Sequence, residues 1–237
     1  MFAGKVLLDT VLFDAIRTAV RLLPMTTSKP APRSRRARRR DEARARILAI
    51  VEQQLREGET FADLKVGRIV AAAGISRTTF YVYFEDKTDL LRIWYGDVTE
   101  DIIDAARAWW ELDATVTREK VRAAIDRIVQ AYRPHPELMA ATHEATGYDQ
   151  GVRDLVRSAM ERYIAGLSEH LTRGQRDGFI DPTLPPAETS YWLQWMAERG
   201  LHRMGTVTDD DEIERLVDAY AGIVWNALYA PVSVASW

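Results

Sequence analysis

From about residue 41 onward, apolar residues recur at helical spacing and Gly or Pro interrupts them, with no convincing strand alternation and no internal repeat. That pattern confines the chain to an all-α fold. Ile47, Leu48, Val51, Gln54 and Leu55 mark a first helix that Gly58 ends. A second is predicted from about Asp63 to Ala73, with Leu64, Val66, Ile69 and Val70 inward and Gly74 as its stop. Ser76 is a natural N-cap for a short third helix, Arg77 to Phe84. Asp86 caps a long fourth helix that reaches about Trp110, whose apolar face begins at Leu90, Leu91, Ile93 and Trp94. Further helices are predicted over about 117–133, 136–145, 149–173, 186–204 and 209–229, the last opened by a Thr208/Asp211 capping box. The chain therefore divides into an extension (1–40), a small three-helix head (41–86) and a larger helical body (87–237).

Charge is distributed unevenly between these parts. Residues 1–95 carry 18 Lys and Arg against 11 Asp and Glu, whereas residues 96–237 carry 14 against 24. A basic head on an acidic body implies that an anionic partner meets the N-terminal end only. Arg33, Arg35, Arg36, Arg38, Arg39, Arg40, Arg44 and Arg46 crowd into 14 residues. They read either as a solvated charge run or as an arm that neutralises phosphates or enters a minor groove. Pro24 to Pro32 reads as a flexible tail. Met1–Leu23 reads as an amphipathic helix or as a stretch upstream of the true initiator, Met25. Lys5, Asp9, Asp14, Arg17 and Arg21 interrupt that stretch, so it is neither a membrane span nor a good signal peptide.

Catalysis is not expected. Cysteine is absent, which removes a thiol nucleophile and a Cys-ligated zinc and is compatible with a reducing cytoplasm. His135, His143, His170 and His202 form no metal-ligand spacing, and no phosphate-binding glycine loop or nucleophile elbow is present. Neither a metal nor a cofactor is expected.

The informative stretch is Ala72 to Phe84. A helix, a tight glycine turn and a second helix make a helix-turn-helix. Ile75, Phe80 and Phe84 can pack inward, leaving Arg77, Thr78, Thr79, Tyr81 and Tyr83 outward. Arg can grip guanine O6 and N7 with two hydrogen bonds, and Thr reaches bases or a thymine methyl. Tyr hydroxyls and Lys87 suit phosphates. Residues Phe61 to Leu91, above all Ala73-Gly74-Ile75-Ser76, Thr79-Phe80-Tyr81, Tyr83-Phe84, Lys87 and Leu90-Leu91, resemble the TetR family of bacterial transcriptional repressors. The resemblance places Ser76, Thr79, Tyr81, Tyr83 and Lys87 on phosphates of double-stranded DNA and Arg77 and Thr78 on bases. At Lys65-Val66-Gly67 relatives often carry further polar contacts; here Lys65 alone remains as a phosphate candidate.

The resemblance also implies a homodimer, with recognition helices about 34 Å apart on a pseudo-palindromic operator. Its interface would be the last two long helices, where Tyr191, Trp192, Trp195, Leu216, Tyr220, Ile223 and Leu228 offer apolar faces. Trp109, Trp110, Tyr132, Met139, Trp192, Trp195 and Trp225, with His143 at a helix edge, are candidates for lining a cavity in the body. Met196-Ala197-Glu198-Arg199 and the ending Trp225-Asn226-Ala227-Leu228-Tyr229 resemble the ethionamide-resistance repressor branch of the family. That implies an apolar channel lined by Gln194, Ala197 and Trp225, with Ala197 where the branch often has Asn. Glu198 and Arg199 are expected to form a local ion pair. The expected function is a repressor that a hydrophobic small molecule releases from its operator. The alternative is a DNA-binding regulator that senses nothing, uses a corepressor or activates.

Overall fold

A computed structural model of the chain describes residues 35–230, with side chains from residue 42. The N-terminal tail and the question of the initiator lie outside the described residues. Among these residues the fold is all helical: α1 (Arg35–Arg56), α2 (Val66–Ala73), α3 (Arg77–Tyr83), α4 (Lys87–Trp110), α5 (Arg118–Tyr132), α6 (Pro136–Ala145), α7 (Gln150–Arg176), α8 (Pro186–Met204) and α9 (Asp210–Leu228). No described helix is long and apolar enough to cross a membrane. From Glu42 on, the chain forms one unit; of residues 1–41 only the opening of α1 is described.

Local chemistry fixes most helix starts. Ser76, Asp86, Thr117 and Asp149 each accept a hydrogen bond from the backbone N–H three residues on. Three helix starts differ from expectation. Helix α1 starts at Arg35 rather than near 41, so part of the arginine run is helical, consistent with the high helix propensity of Arg. Helix α2 starts at Val66 rather than Asp63, because Thr60 and Asp63 close a turn through a 2.8 Å side-chain bond and a 3.2 Å backbone bond. The cap of α9 is Asp209, whose carboxylate accepts from the Asp211 N–H at 3.0 Å, rather than Thr208.

Two apolar clusters hold these helices. The first joins Ile47, Val51, Phe61, Leu64, Ile69, Phe80 and Phe84 of the head to Leu90, Leu91, Trp94 and Val98 of α4 and Leu138, Ala141 and Ala145 of α6. The second is built from the far end of α4 (Ala106, Trp109) with α5, α7, α8 and α9. Helix α4 belongs to both, and partly buried Ile102 packs against each.

Candidate nucleic-acid interface and ligand cavities

Helix α2 stops because Gly74 adopts φ 63°, a left-handed conformation that glycine enters without steric cost. Ile75 N–H then donates back to Val70 O at 3.1 Å, which closes the turn. The Ser76 hydroxyl accepts from Thr79 N–H at 3.0 Å and lies 2.8 Å from the Thr79 hydroxyl. Phe80 and Phe84 are buried, 5.2 Å apart between ring centroids, and anchor α3 in the head cluster. The opposite face presents Arg77, Thr78 and Tyr81 exposed, with Thr79 and Tyr83 half-buried beside them. Lys65 is exposed at the start of α2. The Arg77 guanidinium lies back against α2, with one nitrogen 3.0 Å from where a side chain at Gly67 would begin. Val82, 64% exposed one turn after Thr78, belongs to the same face and was missed from sequence. The i, i+4 step from Thr78 was the signal.

Lys87 is placed differently from its outward neighbours. Its ammonium donates to Phe61 O at 2.6 Å and Ala62 O at 2.8 Å, and stands 4.9 Å from the Phe61 ring centroid. Burial lowers its pKa, against the opposing pull of Glu144 and Asp63.

The expected channel is two cavities, on different sides of α8. One, of about 240 Å³, lies among α5, α7, α8 and α9 and is lined by Ile125, Ile128, Tyr163, Ala197, Leu201 and Tyr220 among others. The other, of about 340 Å³, brings Tyr132, Met139, His143 and Trp195 together with Tyr95, Thr142, Met160, Glu198, Arg199 and His202. The His143 and His202 rings are 5.9 Å apart there. Burial raises the pKa of Tyr95 and Tyr132, and Glu198 adds to both. Glu198 and Arg199 are therefore wall residues rather than a private ion pair. Among the described residues no cluster of three or more His, Cys, Asp or Glu could hold a metal ion.

The other expected liners stand elsewhere. Trp109 is fully buried and donates its indole N–H to the Tyr229 hydroxyl oxygen at 3.0 Å. Trp110 packs over Gly166 and edge-on to Tyr163. Trp225 stacks on Tyr229 with centroids 5.5 Å apart. Trp192 is 70% exposed. Gln194 is buried and lines neither cavity; its amide N–H donates to Met160 S at 3.2 Å, while its oxygen has no hydrogen-bond partner. Sequence reasoning missed Tyr95, Thr142, Met160 and His202, because they come from four helices and share no local spacing.

Two tryptophans outside the body core, Trp192 and Trp195, belong to an apolar face. Tyr191, Trp192, Trp195 and Met196 of α8 and Leu216 and Ile223 of α9 are all exposed. Tyr220 and Leu228 turn inward, Tyr220 donating to Leu193 O at 3.0 Å.

A helix-turn-helix head is thus carried on a larger helical body. Residues 59–92 match the profile of "Bacterial regulatory proteins, tetR family", and residues 121–230 match "Transcriptional regulator EthR, C-terminal domain". The chain is 31% identical over 184 residues to the HTH-type transcriptional regulator EthR of Mycobacterium tuberculosis, covering 75% of this chain and 85% of that protein. It is 27% identical to the EthR of Mycolicibacterium smegmatis, covering 90% of this chain and all of that protein. A crystal structure of a TetR-family regulator from Syntrophomonas wolfei shares the fold, with TM-score 0.63 and 16% identity over 78% of this chain and 95% of the other. The chain belongs to the TetR family and, within it, is an EthR-like transcriptional regulator rather than an enzyme.

Proposed function

We propose that the protein is a cytoplasmic repressor that binds a pseudo-palindromic operator as a dimer and is released by an apolar or amphipathic small molecule. The observation that carries the reading is the pair of cavities beside α8, next to helices that also pack on the head. A cavity of about 340 Å³ with aromatic and aliphatic walls and a few polar groups is of the size and character that small ligands occupy. Arg77 and Thr78 would read bases, with Val82 beside them for a thymine methyl. Lys65, Ser76, Thr79, Tyr81 and Tyr83 would hold phosphates, with Lys87 joining them only where DNA draws it from its carbonyl partners. The exposed Tyr191, Trp192, Trp195, Leu216 and Ile223 face would be covered by a second copy, because apolar surface of that extent on a monomer marks an association site. Tyr132, Met139, His143 and Trp195 would contact the effector in one cavity and Ala197 in the other, with Gln194 acting through Met160, which lines the first.

Release would be a population shift. Swinging a dimer from nearly all competent to nearly all incompetent takes about 5.5 kcal/mol of differential binding. Burying a long apolar ligand supplies energy of that order, at roughly 25 cal/mol per Å².

The experiment is a nuclease footprint on the intergenic DNA beside the protein's own gene at about 150 mM salt, with and without long-chain alcohols. A protected pseudo-palindrome that the alcohol erases supports the reading. Protection indifferent to every compound in a broad apolar panel supports a regulator without an effector. Arg77→Ala should weaken binding by about 1–3 kcal/mol at one base position and relax discrimination there. Equal weakening on all sequences would remove Arg77 from base reading.

A further inference from the structure

Helix α6 lies between the head cluster and the larger cavity and touches both. Leu138, Ala141 and Ala145 are buried in the cluster that holds Phe61, Phe84 and Trp94. Met139, Thr142 and His143, with Thr146 just past the helix end, line the cavity, and Met139 also packs against that cluster. The helix has ten residues, about 15 Å, so a push on one side moves the other side as a rigid body.

Two carboxylates on α6 hold the head. Glu137 meets Arg56, the last residue of α1, at 3.4 Å. Glu144 does more: one carboxylate oxygen accepts from Ala62 N–H at 3.1 Å and the other from Phe61 N–H at 3.3 Å. The carbonyls of the same two residues accept from the Lys87 ammonium of α4. Both peptide groups of Phe61 and Ala62 are thus gripped by side chains of opposite charge, from two different helices. This loop leads into α2, and Phe61 is itself a buried member of the head cluster. Hydrogen bonds to a charged acceptor are strong but directional, and a displacement of about 1 Å weakens them sharply.

We propose that Glu144 is the positioning residue through which occupancy of the cavity reaches the DNA-binding head. An occupant pressing on Met139 and Thr142 shifts α6, Glu144 withdraws from the Phe61 and Ala62 N–H groups, and the start of α2 loses its register against α3. The proposal rests on the reading that an effector enters this cavity, but its test does not depend on knowing the effector.

The test is amide hydrogen exchange on the full chain, read at Phe61 and Ala62 with Thr79 of α3 as internal control. Glu144→Ala should speed exchange at Phe61 and Ala62 at least about tenfold while Thr79 keeps its rate. Met139→Trp, which fills the cavity from the other side of α6, should speed the same two amides. In the Glu144→Ala background, Met139→Trp should add nothing. A Met139→Trp protein that keeps its helix content and its wild-type exchange at Phe61 and Ala62 overturns the proposal, as does unchanged exchange in Glu144→Ala. Should Met139→Trp not fold, Met139→Phe and the wild type with 1-dodecanol make the same measurement. Dodecanol that alters tryptophan fluorescence but leaves both amides protected also overturns it. Dodecanol that binds nowhere counts against the effector reading alone, and the variants still decide the role of Glu144.

Discussion

Phe84 in the head and Trp109 in the body are each about 1% exposed, yet they are held by different means. Phe84 sits at the end of a seven-residue helix, against Phe80 four positions away, in a region whose turns and caps are closed by near neighbours. Trp109 donates to the Tyr229 hydroxyl, 120 residues on, and that hydroxyl lies 2.7 Å from His170 Nε2. His170 Nδ1 lies 2.9 Å from Trp110 O, and Arg173 donates to the same carbonyl. Around α3 the head is packed apolar and its turn and caps are closed locally, while its Phe61–Ala62 loop is held from farther off by Glu144 and Lys87. The body is threaded by a buried polar chain across α4, α7 and the end of α9, and leaves open volume beside it.

The largest expected effect separates the two kinds of packing. Phe84→Ala should cost about 3–5 kcal/mol, because removing a fully buried ring leaves a cavity among the side chains packed on it. Met139→Ala, at a cavity wall, should cost less than about 2 kcal/mol. Urea midpoints of the two variants decide this, and equal losses would erase the distinction.

Next in size is a pH effect that belongs to the body alone. Burial, followed by the Arg173 charge, pushes His170 down to about 4 from its ordinary 6.5. The unfolded chain therefore binds a proton that the folded chain refuses across that interval. Stability contributed by the neutral ring is complete above pH 6.5 and is lost as pH falls towards 4, by about 3 kcal/mol in full. Melting at pH 7 and 4.5 should show this loss, and His170→Gln should show much less of it.

The head offers two smaller effects. Ser76→Ala should cost about 1 kcal/mol in denaturant through loss of the α3 cap, together with operator affinity. Gly67→Ala should be neutral or stabilising by less than about 1 kcal/mol, since alanine suits a helix better than glycine. It should still change operator preference, because the new methyl group displaces the Arg77 guanidinium. Selection of binding sites from random DNA would detect the change; an unaltered preference would detach Gly67 from Arg77.

What was legible in the sequence follows the same division. Gly74, Ser76 and Asp86 announce their turn and caps because each acts on residues within a few positions of itself. The helical body was legible too, since period and punctuation suffice for that. What an aromatic residue touches was not. Trp109, Trp192 and Trp195 occupy similar helical patterns, yet one is core, one is surface and one borders a cavity. Periodicity states that a face is apolar and is silent on whether core, ligand or a second copy covers it. His170 was equally hidden, because its partners lie 59 and 60 residues away.

Helix α4 places Leu90 to Val98 in one apolar cluster and Ala106 and Trp109 in the other, with Ile102 between. A rod of 24 residues with a foot in each cluster ties their melting together. Loosening the head strips apolar cover from α4, and fraying α4 uncovers Trp109 in turn. Calorimetry should therefore record a single peak whose van't Hoff and calorimetric enthalpies agree, with no separate low-temperature shoulder from the DNA-reading end.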